Sequence, residues 1–169
     1  YRAYVGDGCT TVKVKVAARG GTLAEDADRV AAVRSVFGGA IRVDANGGWT
    51  PDEAVEALAV LDRVAAGLEY VEQPCPDLAG LADVRRRTRV PVAADESIRR
   101  ATDPLAAAQA GAADLLVVKP APLGGVRRTL ALVAASGLPA VVSSALDTSV
   151  GLSAVLALAA ALPELDHDC

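Results

Sequence analysis

The chain has 169 residues, 52% of them apolar but only 3% aromatic, so it is long enough for one domain whose core is built from Ala, Val and Leu. A formal net charge of −4, from 17 Lys plus Arg against 21 Asp plus Glu, argues against nucleic acid or an anionic membrane as the main partner. Cys9, Cys75 and Cys169 lack CxxC or Cys/His spacing, which indicates neither a disulfide framework nor a zinc site.

No secretion signal is visible, and the most apolar stretch, around residues 150–162, is too short to span a bilayer. The expectation is a soluble cytoplasmic protein. The first strand candidate is TVKVKVA at 11–17, where Thr11, Lys13 and Lys15 point one way and Val12, Val14 and Val16 the other. In a sheet with one wet face this would place lysines outside and valines inside.

The next stretch begins TLAEDADRVAAVRSVFG, with Thr22 and Glu25 as the cap and N3 residues of a capping box. A strand IRVD at 41–44 follows, and then a helix starting TPDEAVEAL with Thr50 as cap, Pro51 at the first helical position and Glu53 at N3. Further strands are LEYVEQ at 68–73, VPVAAD at 90–95, DLLVVK at 114–119 and PAVVSS at 139–144. Helices are expected from DLAGLADVRRRT, PLAAAQA, GGVRRTLALVAAS and SVGLSAVLALAAAL, and Gly67, Gly111 and Gly137 stand where helices should stop.

Six strands alternating with helices predict a parallel α/β sheet covered on both faces, so the one-sided explanation of Lys13 and Lys15 fails. No GxGxxG or GxxxxGK[ST] follows a strand, which weakens an open nucleotide-binding sheet. Each strand ends in polar residues, Lys15, Asp44, Glu72, Asp95, Lys119 and Ser143 with Ser144, spaced by 23 to 29 residues, one β/α unit each time. Function gathers at the C-terminal strand ends of a (β/α)8 barrel, and this pattern favours the barrel.

A single acid after a strand is more often a cap or turn residue. Lys119, before Pro120, could equally snorkel to solvent. Together, however, Asp44, Glu72 and Asp95 are three carboxylates on consecutive strand ends, flanked by lysines. Converging carboxylates repel unless a cation sits among them, and oxygen-only ligands favour Mg²⁺ before Mn²⁺. A desolvated Lys15 beside Lys13 would have a lowered pKa and could act as a base. Metal, acids and lysines together describe abstraction of a proton α to a carboxylate, with an enediolate stabilised by the ion, as in enolase-type sites.

The ordered set VKVK, VDANGGW, VEQP, ADES and KPAPLGG closely resembles the muconate-lactonising subgroup of the enolase superfamily, and SSALDTSVG looks most like its o-succinylbenzoate synthases. The resemblance runs from about Thr11 to about Leu152. It implies a TIM-type (β/α)7β barrel, with Asp44, Glu72 and Asp95 as Mg²⁺ ligands. It also implies Lys15 as the base that then protonates the departing hydroxyl, and Lys119 on the opposite face as the cation stabilising the enolate. Asn46 and Glu96 would support the ligands, and Arg42 would line the cavity with Lys13. Ser143, Ser144 and the backbone near Ser149 to Gly151 would hold the substrate's succinyl carboxylate, although serines that satisfy a strand-end turn are an equal alternative. Gly47, Gly48 and Trp49 read as a loop and helix entry. His167, the sole histidine, falls outside every motif, which speaks against a histidine-based racemase.

The implied reaction is syn-dehydration of 2-succinyl-6-hydroxy-2,4-cyclohexadiene-1-carboxylate to o-succinylbenzoate, a step in menaquinone synthesis. The partner is thus a small carboxylate substrate. Rivals are an N-acylamino-acid racemase or dipeptide epimerase using Lys15 and Lys119 as opposed bases, and then a muconate cycloisomerase. A non-catalytic metal-binding α/β module is a rival of another class, but it has no use for lysines facing the acids. The opening YRAYVGDG reads as the tail of a helix, and PELDHDC stops where an eighth strand would begin. Residues 1–169 are therefore expected to be a partial catalytic barrel domain, lacking a capping domain and the first and last barrel strands.

Overall fold

The computed structural model describes residues 8–165, 167 and 168. The helix tail expected in YRAYVGD lies outside the described residues. The strands are β1 (Thr11–Lys15), β2 (Ala40–Asp44), β3 (Val71–Glu72), β4 (Val92–Ala94), β5 (Leu115–Val118) and β6 (Ala140–Val142). They form one parallel sheet in the order β1 to β6, so neighbours in sequence are neighbours in space. This is half of a β/α barrel, with β1 and β6 at its edges among the described residues.

The intervening helices are α1 (Leu23–Arg34), α2 (Pro51–Ala65), α3 (Leu78–Arg87), α4 (Glu96–Arg99), α5 (Ala106–Gln109), α6 (Val126–Ser136) and α7 (Ser149–Ala161). Both expected capping boxes form: Glu25 and Glu53 accept hydrogen bonds from the Thr22 and Thr50 amides at 2.8 Å, while each threonine hydroxyl accepts from the N3 amide. The α2 helix stops at Ala65 because Ala66 turns left-handed at φ 54°, one residue ahead of Gly67. The stretch PLAAAQA gives only one turn, α5. The helix α4 was not expected; four residues are too few to show a helical period.

Strand alternation divides the protein into two apolar layers. Val14, Ile41, Val43, Val71, Val92, Leu116 and Val118 face outward and pack with Leu58, Leu61, Leu81 and Leu158 of the helices. Tyr70, Ala93, Leu115, Val117 and Val141 form a smaller cluster on the inner face, below the polar strand ends. The lysines of TVKVKVA belong to this inner face. No helix among the described residues is long and apolar enough to cross a membrane.

Leu61 is wholly buried between α2 and the sheet. Leu61→Ala should destabilise the protein by about 2–5 kcal/mol in urea unfolding, whereas Val150→Ala, on the exposed side of α7, should change it by about 0.5 kcal/mol or less. Equal effects of the two substitutions would contradict this placement of the core.

Candidate active site

Parallel pairing aligns the inner face in rows. Lys13 pairs with Arg42, and one step nearer the C-terminal ends Lys15, Asp44 and Glu72 lie in register. The Lys15 ammonium donates to Asp44 at 2.7 Å, and Lys13 reaches up one row to Asp44 at 3.1 Å and Glu72 at 2.8 Å. Across the site Lys119 donates to Asp95 at 2.7 Å. Asp44, Glu72 and Asp95 are all buried. Lys13, Lys15, Asp44 and Glu72 thus form one connected group, and Lys119 with Asp95 a second at the same end of the sheet.

The two lysines of β1 differ. The Lys15 side chain is 59% exposed, against 38% for Lys13 and 11% for Lys119. The desolvation expected at Lys15 therefore falls on Lys13 instead, because Lys13 sits one row deeper. Burial works against the charge on Lys13, but Glu72 and Asp44 outweigh it and raise its pKa above the ordinary lysine range. Burial also opposes ionisation of Asp44, yet Lys13, Lys15 and the Asn46 amide hold its pKa below the usual value. Glu72 goes the other way: burial raises its pKa, Lys13 opposes this, and repulsion from Asp44 and Asp95 adds to it.

Glu72 Oε1 is buried without a hydrogen-bond partner. Among the described residues, no three His, Cys, Asp or Glu side chains stand close enough together to surround an ion as placed; each acid is turned to a cationic side chain instead. The oxygen-only donor set, the mutual repulsion and the orphaned Glu72 oxygen fit a hard divalent cation, which Asp44, Glu72 and Asp95 would hold.

The residues expected to support the acids are placed as follows. Asn46, left-handed at φ 46°, gives its amide to Asp44 at 3.0 Å and its side chain to Glu96 at 3.2 Å. Arg42 does line an inner cavity of about 180 Å³ with Lys13, Tyr70, Glu72 and Ser143. Its guanidinium, however, is committed to Glu69 at 2.6 Å and lies 4.9 Å from the Tyr70 ring centroid. Ser143 continues the β6 ladder through its amide to Val118, and Ser144 is half-buried beside it. Ser149 and Gly151 open α7 at the same end of the sheet, where a side chain on Gly151 would meet Asp147 Cβ at 2.7 Å. Gly47 is the loop residue expected, left-handed at φ 73°, with its Cα hydrogens close against Pro76. His167 bonds Glu69 at 2.7 Å at the opposite end of the inner face, away from the acids.

Two further residues reach the acids without a periodic sequence signal. Arg99 of α4 donates to Asp95 at 3.0 Å and to Glu96 at 2.6 Å. Gln73, directly after Glu72, is wholly buried and left-handed at φ 40°. Its place inside VEQP was the available signal.

The whole chain, residues 1–169, matches the family model described as enolase C-terminal domain-like, and the chain belongs to that family. It is 58% identical to the o-succinylbenzoate synthase of Thermobifida fusca over 170 residues, covering 99% of this chain and 53% of that protein. The chain spans about half the length of the curated relatives it matches. A dipeptide epimerase from Enterococcus faecalis, solved with Mg and the dipeptide L-Leu-L-Tyr, superposes with a TM-score of 0.86 at 31% identity, over 99% of this chain and 48% of that one. The muconate lactonizing enzyme of Pseudomonas putida gives 0.81 at 29% identity, over 93% and 45%.

Below the acids, burial opposes ionisation of Glu69, but Arg42 and His167 outweigh it and lower its pKa. A lowered folded pKa means that the stability Glu69 contributes is present above its unfolded value, about pH 4.3, and is lost as the pH falls through the folded value. Glu69→Gln should therefore cost about 1–3 kcal/mol at pH 7, with the difference from wild type shrinking on acidification. Identical pH–stability curves would contradict the Arg42–Glu69 assignment.

Proposed function

We propose that the intact protein carrying this chain is a Mg²⁺-dependent dehydratase, converting 2-succinyl-6-hydroxy-2,4-cyclohexadiene-1-carboxylate to o-succinylbenzoate. The observation that carries this reading is the division of labour among the lysines around three buried carboxylates, in a chain 58% identical to an o-succinylbenzoate synthase. Lys13 is a fixed cation, held by Glu72 and Asp44. Lys15, more exposed, is the group a substrate meets. As the free amine, after giving up its proton to solvent, it takes the proton α to the substrate carboxylate. It then returns that proton to the hydroxyl on the same face as the C–O bond breaks, so that water leaves and the ring becomes aromatic.

Lys119, on the far side and largely enclosed, keeps its ammonium facing the charge that develops on the carboxylate oxygens. A divalent ion, when bound by Asp44, Glu72 and Asp95, would supply further neutralisation of that charge. Ser143, which lines the inner cavity at the end of β6, supplies a hydroxyl for the distal succinyl carboxylate, and half-buried Ser144 follows it.

A second reading is a dipeptide epimerase or N-acylamino-acid racemase. It is favoured by the likeness to the epimerase of E. faecalis and by lysines on two sides of the acids. Turnover of the cyclohexadiene carboxylate by the intact protein separates the two. Wild type should form o-succinylbenzoate only with Mg²⁺ present, and Lys15→Ala should lose about 10²–10⁴ in rate with Mg²⁺ affinity retained. A folded, Mg²⁺-binding wild type that forms no product but exchanges the α-proton of dipeptides would replace the first reading by the second.

A further inference from the structure

We propose that Gln73 is a positioning residue that sets the spacing of the three carboxylate-bearing strand ends. The inference rests on reading Asp44, Glu72 and Asp95 as the metal ligands. Gln73 follows Glu72 directly and is wholly buried. Its Oε1 accepts from the backbone amides of Asp95 at 3.0 Å and Ser97 at 3.2 Å. Its Nε2 donates to Ser97 Oγ at 2.7 Å and to the Cys75 carbonyl at 2.9 Å. All four hydrogen-bonding positions of the amide are filled.

The main chain of the same residue completes the link. Its amide donates to the Ala93 carbonyl at 2.8 Å, and its carbonyl accepts from Gly47 at 2.7 Å, in the loop that follows Asp44. One residue therefore joins the ends of β2, β3 and β4. The ladders there are short, with only two registered pairs between β2 and β3 and two between β3 and β4. Backbone bonds from Ala45 to Glu72 and from Gln73 to Ala93 continue the pairing there, and the Gln73 side-chain amide adds bonds to Asp95 and Ser97 at the level of the acids.

The left-handed backbone at φ 40° is what turns the side chain sideways along the sheet, toward Asp95, instead of continuing the strand alternation. Such a conformation persists in a non-glycine residue only where its surroundings over-determine it. Here the four side-chain bonds do so. A glutamine that merely filled the core would stabilise the fold without affecting how the acids receive a cation, and this difference is measurable.

The test uses the intact protein with Gln73→Met, which keeps the length and removes the polar atoms, and with Ser97→Ala and Ser97→Thr. Mg²⁺ dissociation constants come from calorimetry, and amide hydrogen exchange at Asp95 and Ser97 is followed in EDTA. Gln73→Met should weaken Mg²⁺ binding by about tenfold to a hundredfold and speed both exchanges. Ser97→Ala should weaken binding by a smaller factor, and Ser97→Thr should restore it. A folded Gln73→Met protein with faster exchange but unchanged Mg²⁺ affinity overturns the proposal, because its role is then purely structural. If Gln73→Met does not fold, Ser97→Ala decides: weakened binding supports the proposal and unchanged binding overturns it. A wild type that binds no Mg²⁺ defeats the ligand reading instead. The positioning role falls with it, whereas tight wild-type binding with unchanged affinity in the variants defeats the positioning role alone.

Discussion

The contact on which the site depends is the Lys13 ammonium, set between Asp44 and Glu72. Buried carboxylates on one face of a sheet cannot stay charged without compensation, because burial and mutual repulsion both favour protonation. Lys13 offsets this at the Asp44–Glu72 end, and Lys119 with Arg99 does so at Asp95. The compensation at Glu72 is incomplete: its pKa remains raised and one oxygen has no partner. A pre-formed concentration of negative charge with an unfilled oxygen is a receptive place for a cation. The helices outside the sheet serve this arrangement by covering the outward valines and leucines, which holds the strands at the register that aligns the acids.

How the lysines sort themselves follows from depth. Lys13 and Lys15 share a face and a chemistry, but two residues of strand separate them. The lower one is captured by two acids; the upper one keeps a single acid and open space. A proton carrier must reach the substrate, and a structural cation must not. The sequence VKVK supplies both in four residues.

Much of the fold was legible because it is periodic. TVKVKVA, IRVD and DLLVVK alternate or run apolar over enough residues to announce strands, and Thr22–Glu25 and Thr50–Glu53 announce helix starts. The acids were legible because each closes a strand at barrel spacing. Depth within the inner face was not, since alternation says which face a residue takes and nothing about which row holds it under its neighbours, so it does not separate Lys13 from the more exposed Lys15. Gln73 and Arg99 escaped notice for a related reason. Gln73 meets Asp95 through a left-handed backbone turn, and Arg99 meets it from a single-turn helix, neither of which leaves a periodic trace. The strand expected to run to Gln73 ends at Glu72 because of that same turn.

Asp44, Glu72 and Asp95, each facing a lysine, are read as the donors of one divalent-cation site. A crystal structure of the intact protein grown with Mg²⁺ tests it directly. The expected result is an ion bonded to Asp44, Glu72 and Asp95 oxygens at about 2.0–2.1 Å, with Lys13 no longer the nearest cation to Glu72. Mg²⁺ absent from these acids at saturating concentration, with the Lys13–Glu72 and Lys119–Asp95 contacts intact, would contradict it.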